Sequence, residues 1–259
     1  MLLTALPLLA VRLTRSPTLV AGVTVAFGLP WLLFALQAGA LADRLDRRRT
    51  TAVANAAQAL VMVALAAAVV AGVASLPVLY GAALLIGVAQ TLVDTSAQSI
   101  LPTMVPPESL SRANGRLYAA ELTANQFVGP PVGGLLAGIG IAWAFASSAA
   151  GHSLAVAGLL ALSGRYRPER TTATSMRADV AEGVRYLLRH RLLRTMAVMV
   201  GVDNLCFSAA FAVLVLYAVG DGSALGLDEA SYGVLLTTTA IGSLVGRSPL
   251  IAWSAGWAR

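Results

Sequence analysis

Four ionisable side chains interrupt stretches of the sequence that are otherwise apolar: Asp94, Glu121, His152 and Asp203. A charged group in apolar surroundings loses the stabilisation that water provides, so it must face a polar cavity or a partner group. An acid placed in this way can bind a cation or carry a proton across an apolar barrier. These residues are therefore the first candidates for chemistry in the chain.

Glu121 and Asn125 are four residues apart, which places them one turn apart on the same face of a helix. This spacing suits the wall of a cavity, where Glu121 would bind a cationic ligand or take up a proton. The alternative is an acid at the membrane interface, close to Arg116. The sequence favours neither interpretation.

Asp94 lies between Gln90 and Gln98, so the three side chains form a polar stripe along one helix. The stripe either lines a pathway or hydrogen-bonds to a neighbouring helix, and the second interpretation is slightly favoured. Asp203 lies at the start of the second part of the chain and is expected to face the first part across a cavity. His152 is expected to be a polar packing residue.

Long apolar segments must position these side chains. Of 259 residues, 58% are hydrophobic and 12% are charged, against about one quarter charged in soluble domains. Since about 20 apolar residues cross a bilayer as a helix, the sequence predicts an all-α, multi-pass membrane protein with about eight transmembrane helices. With residues 1–11 counted as the first helix, the predicted second to eighth spans are residues 18–41, 52–74, 77–105, 117–138, 141–162, 196–219 and a last one beginning at 231. Residues 1–11 are either the end of a first helix or a short interfacial segment.

All 18 basic residues are arginines, and their distribution predicts the orientation. Fourteen lie in the loops after the second, fourth and sixth spans, whereas only Arg12 and Arg15 lie on the opposite side. By the positive-inside rule, the arginine-rich loops face the cytoplasm of a cell whose plasma or inner membrane holds the protein. Loop arginines are better explained in this way than by nucleic-acid binding, so no nucleic-acid partner is expected.

Residues 164–194 hold eight of the arginines and divide the chain. Within them, residues 177–189 predict a basic amphipathic helix lying along the membrane surface; a solvated connector is the alternative. The predicted organisation is a helix bundle at 1–163 with an incomplete first helix, a cytoplasmic loop at 164–194, and an incomplete second bundle at 195–259.

The loop after residue 41 carries a family resemblance. Gly39, Leu41, Asp43, Arg44, Arg47 and Arg48 resemble the loop signature between the second and third helices of the major facilitator superfamily. Asp46 departs from the pattern, since the family often has glycine there. The resemblance implies a gate, in which the Asp43 carboxylate pairs with arginines or with a helix N-terminus. The alternative is a plain cluster of charges that fixes topology.

A second resemblance lies in the fifth span, at Gly129-Pro130-Pro131-Val132-Gly133-Gly134. It is similar to a motif of facilitator exporters that exchange a drug for protons. Glycines four residues apart, Gly129 with Gly133 and Gly134 with Gly138, let another helix approach closely, and prolines favour a bend. Such a helix can act as a pivot or as a seal against proton leak. Ordinary tight helix packing is the alternative.

Together the two motifs identify the chain as a member of the major facilitator superfamily, resembling its drug, siderophore and macrolide efflux branch. The resemblance implies two six-helix halves and an antiporter that exports small amphipathic molecules, drug-like or siderophore-like, by alternating access. Residues 84–94 lack the arginine that many proton-coupled members carry, which weakens proton coupling. An importer is the close variant.

The second half stops after about two helices, so the chain is expected to be truncated at both ends. It is then a non-functional remnant, or one half of a split transporter that pairs with a separate C-terminal half. The membrane subunit of a primary pump is a third interpretation. No cofactor, metal or enzymatic activity is expected, because the chain has no Walker-type loop, no metal-ligand spacing and a single cysteine, Cys206.

We expect Glu121→Gln and Asp43→Asn each to lower export without lowering the amount of protein in the membrane, because each removes a charge and leaves the shape of the side chain almost unchanged. Drug accumulation in cells, normalised to an immunoblot of the membranes, measures the effect. Unchanged accumulation in both variants would contradict the assigned roles.

Overall fold

The computed structural model describes residues 2–42, 44–98, 100–101, 105–162, 176–220, 222–238 and 242. Its regular elements are helices. In chain order they are α1 (Leu2–Leu13), α2 (Pro17–Ala42), α3 (Arg47–Val70), α4 (Leu76–Gln98), a 3₁₀ turn (Pro107–Ser109), α5 (Leu110–Leu122), a π-helical segment (Thr123–Val128), α6 (Gly129–Ile139), α7 (Ile141–Ala161), α8 (Met176–Arg189), α9 (Arg191–Ala218) and α10 (residues 229–238). In the part of the chain described, the predicted all-α architecture is confirmed.

Five of these helices are long and apolar enough to cross a membrane: α2, α3, α4, α7 and α9. They support the prediction of a multi-pass membrane protein, whereas the total of about eight spans stays a prediction. One predicted span, 117–138, falls outside the five because its residues are divided between α5, the π-helical segment and α6.

The prolines account for that division. Pro130 and Pro131 have no N–H to donate to the carbonyls one turn earlier, so regular α-helical bonding cannot pass through them. A π turn, with bonds from residue i to i+5, absorbs the mismatch immediately before them. The chain thus remains helical from Leu110 to Ile139.

Helix α1 lies in the centre of the bundle and contacts α2, α4, α6, α7 and α9. Ala5, Leu8 and Ala10 are at most 1% exposed. The alternative of a short interfacial segment at the N-terminus is therefore wrong: these residues form a core helix, because neighbouring helices cover their apolar side chains.

Helix α3 begins at Arg47, five residues before the predicted start of that span, because Asp46 caps it. The Asp46 carboxylate accepts a hydrogen bond of 3.0 Å from the backbone N–H of Arg49, which satisfies one of the free N–H groups of the first turn. After the last turn of α3, Gly72 adopts a φ of 70°, a conformation that favours glycine.

Two close approaches join α2 to α4. The Tyr80 hydroxyl donates a hydrogen bond of 2.6 Å to the carbonyl of Leu19, and its ring leaves no room for a side chain at Gly22. About two turns further on, Gly87 lies directly against the backbone carbonyl of Phe27. Small residues at such crossings let two backbones approach without an intervening side chain.

The predicted amphipathic helix at 177–189 corresponds to α8, which contacts α2 and α9. Val180 and Val184 are half-buried, whereas Leu188 is exposed. The side chain of His190 then caps α9 by accepting a hydrogen bond of 3.3 Å from the N–H of Leu193. The expectation that α8 lies along a membrane surface stays a prediction, as do the three predicted divisions of the chain.

A polar pair joins α3 to α7. His152 Nδ1 lies 2.8 Å from Asn55 Oδ1, so His152 is a packing residue bonded to a neighbouring helix. Within apolar surroundings such a bond is worth about 1 kcal/mol.

We expect His152→Leu to lower the unfolding midpoint by about 2–4 °C, because Asn55 loses its partner. The double variant Asn55→Leu/His152→Leu should recover most of the loss, since both polar groups are then gone. Thermal unfolding in detergent measures both, with Ser153→Ala as the control. A double variant no more stable than the single one would contradict a direct bond.

Candidate functional site

A cavity of about 240 Å³ lies between the first helices and the later ones. Five segments surround it: α1, α2, the π-helical segment, α9 and α10. The residues that line it are Leu6, Pro7, Val23, Thr24, Phe27, Asn125, Gln126, Phe207, Ser208, Phe211, Tyr232 and Leu236. Because the two parts of the chain both contribute walls, a shift of one part against the other would change the shape of the cavity.

The walls of the cavity are mainly aromatic and aliphatic. The rings of Phe207 and Phe211 stack with centroids 4.2 Å apart. Asn125 and Gln126 supply amide groups on the opposite wall, from the π-helical segment. Apolar walls with a few convergent polar groups are typical of small-molecule sites, and these walls suit an amphipathic molecule with a flat or apolar body.

Arg12 closes one end of the bundle. Its Nη2 donates to the Glu229 carboxylate at 2.8 Å and to the carbonyl of Ala137 at 2.9 Å, and its Nε lies 3.2 Å from the same carboxylate oxygen. One guanidinium thus joins α1, α6 and α10. Asp228 caps α10 by accepting a 2.7 Å bond from the N–H of Ser231, and hydrogen bonds from Ser231 lower the pKa of the Asp228 carboxyl.

Arg15 makes a second link at this end. It donates a 3.0 Å hydrogen bond to the carbonyl of Val219, at the end of α9. The guanidinium lies directly against Gly220, whose φ of 89° and lack of a side chain leave room for it. Arg12 and Arg15, which the sequence predicts on the side with few positive charges, therefore both contact the later helices.

A pair of glycines lies beneath these polar contacts. A side chain at Gly134 would meet the Cα atom of Gly233 at 2.9 Å, and a side chain at Gly233 would meet the carbonyl of Pro130. Next to them Tyr232 is 1% exposed. The predicted packing motif in α6 thus contacts α10, with Gly129, Pro130, Gly133 and Gly134 all buried.

Gly138 differs from the expected pattern. The sequence pairs it with Gly134 as a packing motif, yet a side chain at Gly138 would have nothing within 4 Å. The contact involves only the first part of the motif, because α6 ends at Ile139 and α7 turns back at Gly140.

The opposite end of the bundle is open. We call it the arginine-rich end, because Arg44–Arg49, Arg112 and the start of α9 lie there. Residues 191–210 of α9 are all exposed, whereas Ala212, Val215 and Ala218 are buried. The later helices therefore contact the first ones at the Arg12 end, whereas at the arginine-rich end the first part of α9 is exposed and α8 contacts α2.

The three predicted acids, Asp94, Glu121 and Asp203, lie towards the open end, and each has different surroundings. Asp94 accepts a 2.7 Å hydrogen bond from Gln90 of its own helix, so the favoured bond to a neighbouring helix is not the one observed; the side chain of Gln98 lies outside the described residues. Glu121 is exposed. Asp203 is exposed on α9, one turn before the cavity residue Phe207.

Asn125 lines the cavity, but Glu121 does not. The predicted pairing on one face assumes regular α-helical geometry, and the π-helical segment begins between the two residues. Within the described residues, no group of three or more His, Cys, Asp or Glu side chains is arranged to hold a metal ion.

The loop motif divides into residues with different roles. Asp43 lies outside the described residues, and its role as a gate stays a prediction. Arg48 donates to the carbonyls of Leu159 and Leu160, at 2.7 and 2.8 Å, and so caps the C-terminus of α7. Arg44 and Arg47 are half-buried beside it. Gly39 contacts nothing that would exclude a side chain, so no close approach explains glycine there.

Sequence reasoning missed the contacts of Arg12, Arg15, Glu229 and Gly233. The available signal was the complementary charge of two segments: two arginines at the end of α1 and just beyond it, and an acidic loop without a base before α10. Charge alone, however, does not indicate which of several loops at one membrane surface lie next to each other.

The architecture and the cavity define a class: a helical, multi-pass membrane protein with a ligand-sized cavity between two groups of helices. Residues 4–251 match the family model described as transmembrane secretion effector. The chain belongs to this family of the major facilitator superfamily, which confirms the resemblance carried by its two motifs. Members are transporters, so the prediction that the chain is not an enzyme is confirmed.

The chain is 31% identical over 207 residues to the multidrug efflux pump Tap of Mycolicibacterium fortuitum, covering 75% of this chain and 50% of that protein. Identity to Tap of Mycobacterium tuberculosis (strain ATCC 25618 / H37Rv) is 32% over 213 residues, covering 75% and 48%. The enterobactin exporter EntS of Shigella boydii (serotype 4, strain Sb227) is 26% identical over 244 residues, covering 93% and 57%. The chain spans about half the length of the curated relatives it matches.

We expect Gly134→Ala to lower the unfolding midpoint by about 5 °C, because the added methyl group would overlap backbone atoms of α10 that cannot move aside cheaply. Gly138→Ala is the matched control: it lies one turn further on in open space, where alanine favours a helix and should leave the midpoint unchanged or raise it. Equal midpoints for the two variants would contradict the close contact with Gly233.

Proposed function

We propose that the protein is a secondary-active exporter of small amphipathic molecules that works by alternating access. The observation that carries the proposal is the cavity between the two groups of helices, closed at the Arg12 end and open at the arginine-rich end. Membership of a transporter family and similarity to proteins named as exporters support the outward direction. Import is the alternative direction.

The orientation follows from the arginines. If the positive-inside rule holds, the arginine-rich end faces the cytoplasm of the cell that carries the protein in its plasma or inner membrane. The described conformation is then the inward-facing one, in which a substrate enters from the cytoplasm or the inner leaflet. Export requires the Arg12 end to open and the arginine-rich end to close.

The lining of the cavity supports the substrate class. Phe207, Phe211 and Tyr232 provide flat apolar surfaces, whereas Asn125 and Gln126 offer amide donors and acceptors. An amphipathic molecule of drug-like or siderophore-like character satisfies both. The names of the relatives, a multidrug efflux pump and an enterobactin exporter, are consistent with this class.

Proton coupling is the finer part of the proposal. Glu121 is exposed on α5, and Asp94 accepts a hydrogen bond from Gln90 on α4. In the proposed cycle Glu121 takes up the proton, Asp94 and Asp203 line the open pathway, and Asp43 with Arg44, Arg47 and Gly39 forms the gate that closes it.

A second candidate role is one half of a split transporter. The exposed part of α9 carries apolar side chains on more than one face, with Leu192, Met199 and Leu205 each more than 60% exposed, although Asp203 and Asn204 interrupt it. A helix of this kind lies either in lipid or against further helices. A separately encoded C-terminal half, bound in the membrane, would cover it.

The polar closure at the Arg12 end provides a test. Arg12→Glu and Glu229→Arg each place like charges together, so each should slow export of a fluorescent cationic dye about three- to fivefold in cells that lack other efflux pumps. The double variant restores an opposite pair and should recover most of the rate. Arg112→Glu, an exposed arginine at the other end, is the control.

Two results would contradict the proposals separately. If cells with the wild-type chain accumulate as much dye as cells with an empty vector, the chain alone does not export, and the same assay is repeated with a co-expressed C-terminal half. If the wild-type chain exports but both single variants match it, the Arg12–Glu229 pair plays no part in closing this end.

A further inference from the structure

A second cavity lies away from the central one, near the arginine-rich end. It has a volume of about 670 Å³ and lies between the end of α2, one face of α3 and one face of α4. Along α4, Val88 and Leu92 line it, whereas Gln90 and Asp94 are each two residues further along. Successive helical residues are about 100° apart, so Gln90 and Asp94 are about 200° away from Val88 and Leu92. This cavity therefore opens on the side of α4 opposite Gln90 and Asp94, the side that the proposed function assigns to the transport pathway.

The walls are apolar and turned outwards. Val53 is 70% exposed and Leu85 is 56% exposed, and Ala57 between them is also exposed. The lining extends along α3 from Arg49 to Val61, twelve residues or roughly 18 Å of helix. One leaflet of a bilayer has a hydrocarbon depth of about 15 Å, so the groove has the length of a lipid acyl chain.

The mouth of the groove is positively charged. Arg44 and Arg49 lie there. Asp46 also lines the mouth, where its carboxylate caps the first turn of α3, so the described residues of the mouth carry one net positive charge. An anion with an apolar tail matches this arrangement: the charge at the level of the headgroups and the tail in the membrane interior.

We propose that this groove binds one anionic phospholipid of the leaflet at the arginine-rich end, with its phosphate between Arg44 and Arg49 and one acyl chain along α3 and α4. The charge of the mouth distinguishes the occupant from a neutral lipid, and the depth of the groove distinguishes it from free phosphate. A second copy of the chain would have to insert an apolar segment and would not require an anion.

Native mass spectrometry of the detergent-purified chain tests the proposal, with phosphatidylglycerol and phosphatidylcholine as probes. We expect one phosphatidylglycerol molecule per chain, held at least fivefold more tightly than phosphatidylcholine, because each arginine near a lipid headgroup contributes about a factor of five. Inorganic phosphate alone should not bind at the same concentration.

Two matched pairs of variants locate the site. Ala57→Phe fills the groove and should lower phosphatidylglycerol binding at least fivefold, whereas Ala56→Phe, at the neighbouring exposed alanine outside the groove, should not. Arg49→Gln should lower the preference for phosphatidylglycerol over phosphatidylcholine about fivefold, and Arg112→Gln should leave it intact. All four positions are exposed, so folding is expected to be preserved.

The proposal is overturned if the wild-type chain binds the two lipids equally, or if Ala56→Phe and Ala57→Phe weaken binding to the same extent, since either result describes general contact with lipid. Binding of phosphatidylglycerol that persists in Ala57→Phe places the lipid elsewhere and also overturns it. A dimer in the spectra that Ala57→Phe disrupts would assign the groove to a second copy instead.

Discussion

The close contact between Gly134 and Gly233 sets the distance between the two parts of the chain. At that distance a single guanidinium, that of Arg12, reaches a carbonyl of α6 and a carboxylate of α10 together. A side chain at either glycine would overlap backbone atoms of the facing helix, so the helices would have to move apart and stretch these hydrogen bonds. Backbone contact and polar closure therefore lie together at the end of the bundle that is closed.

The arginine cluster shows how one short segment serves several purposes. Asp46, where the family often has glycine, caps α3, and Arg48 caps α7 from the same turn. Both contacts satisfy backbone groups at helix ends, where intrahelical partners are lacking. The departure from the family pattern is thus accommodated locally: the carboxylate fixes where α3 begins and leaves the surrounding arginines at the membrane surface.

Much of the fold could be predicted from the sequence, because apolar length and arginine placement are dictated by the bilayer. The spans α2, α7 and α9 lie within a few residues of their predicted bounds. The site was less predictable. The expectation that Glu121 and Asn125 share a cavity wall rests on regular helical geometry, and Gly138 was paired with Gly134 by spacing alone. Neither a π turn nor the identity of the contacting helix is encoded in a local pattern; both depend on how distant helices pack.

The π-helical segment has a consequence for how α5 and α6 are related. A π turn inserts one residue into the helical repeat without breaking the chain of hydrogen bonds. The directions in which the side chains of α5 point around the helix axis are therefore not fixed by the tight packing of Gly134 in α6. Glu121 and the glycine motif belong to one continuous helical stretch. The extra residue of the π turn rotates the side-chain directions on one side of it relative to those on the other. The two ends of this stretch can be held by different neighbours, each with the side-chain orientation that its own surroundings require.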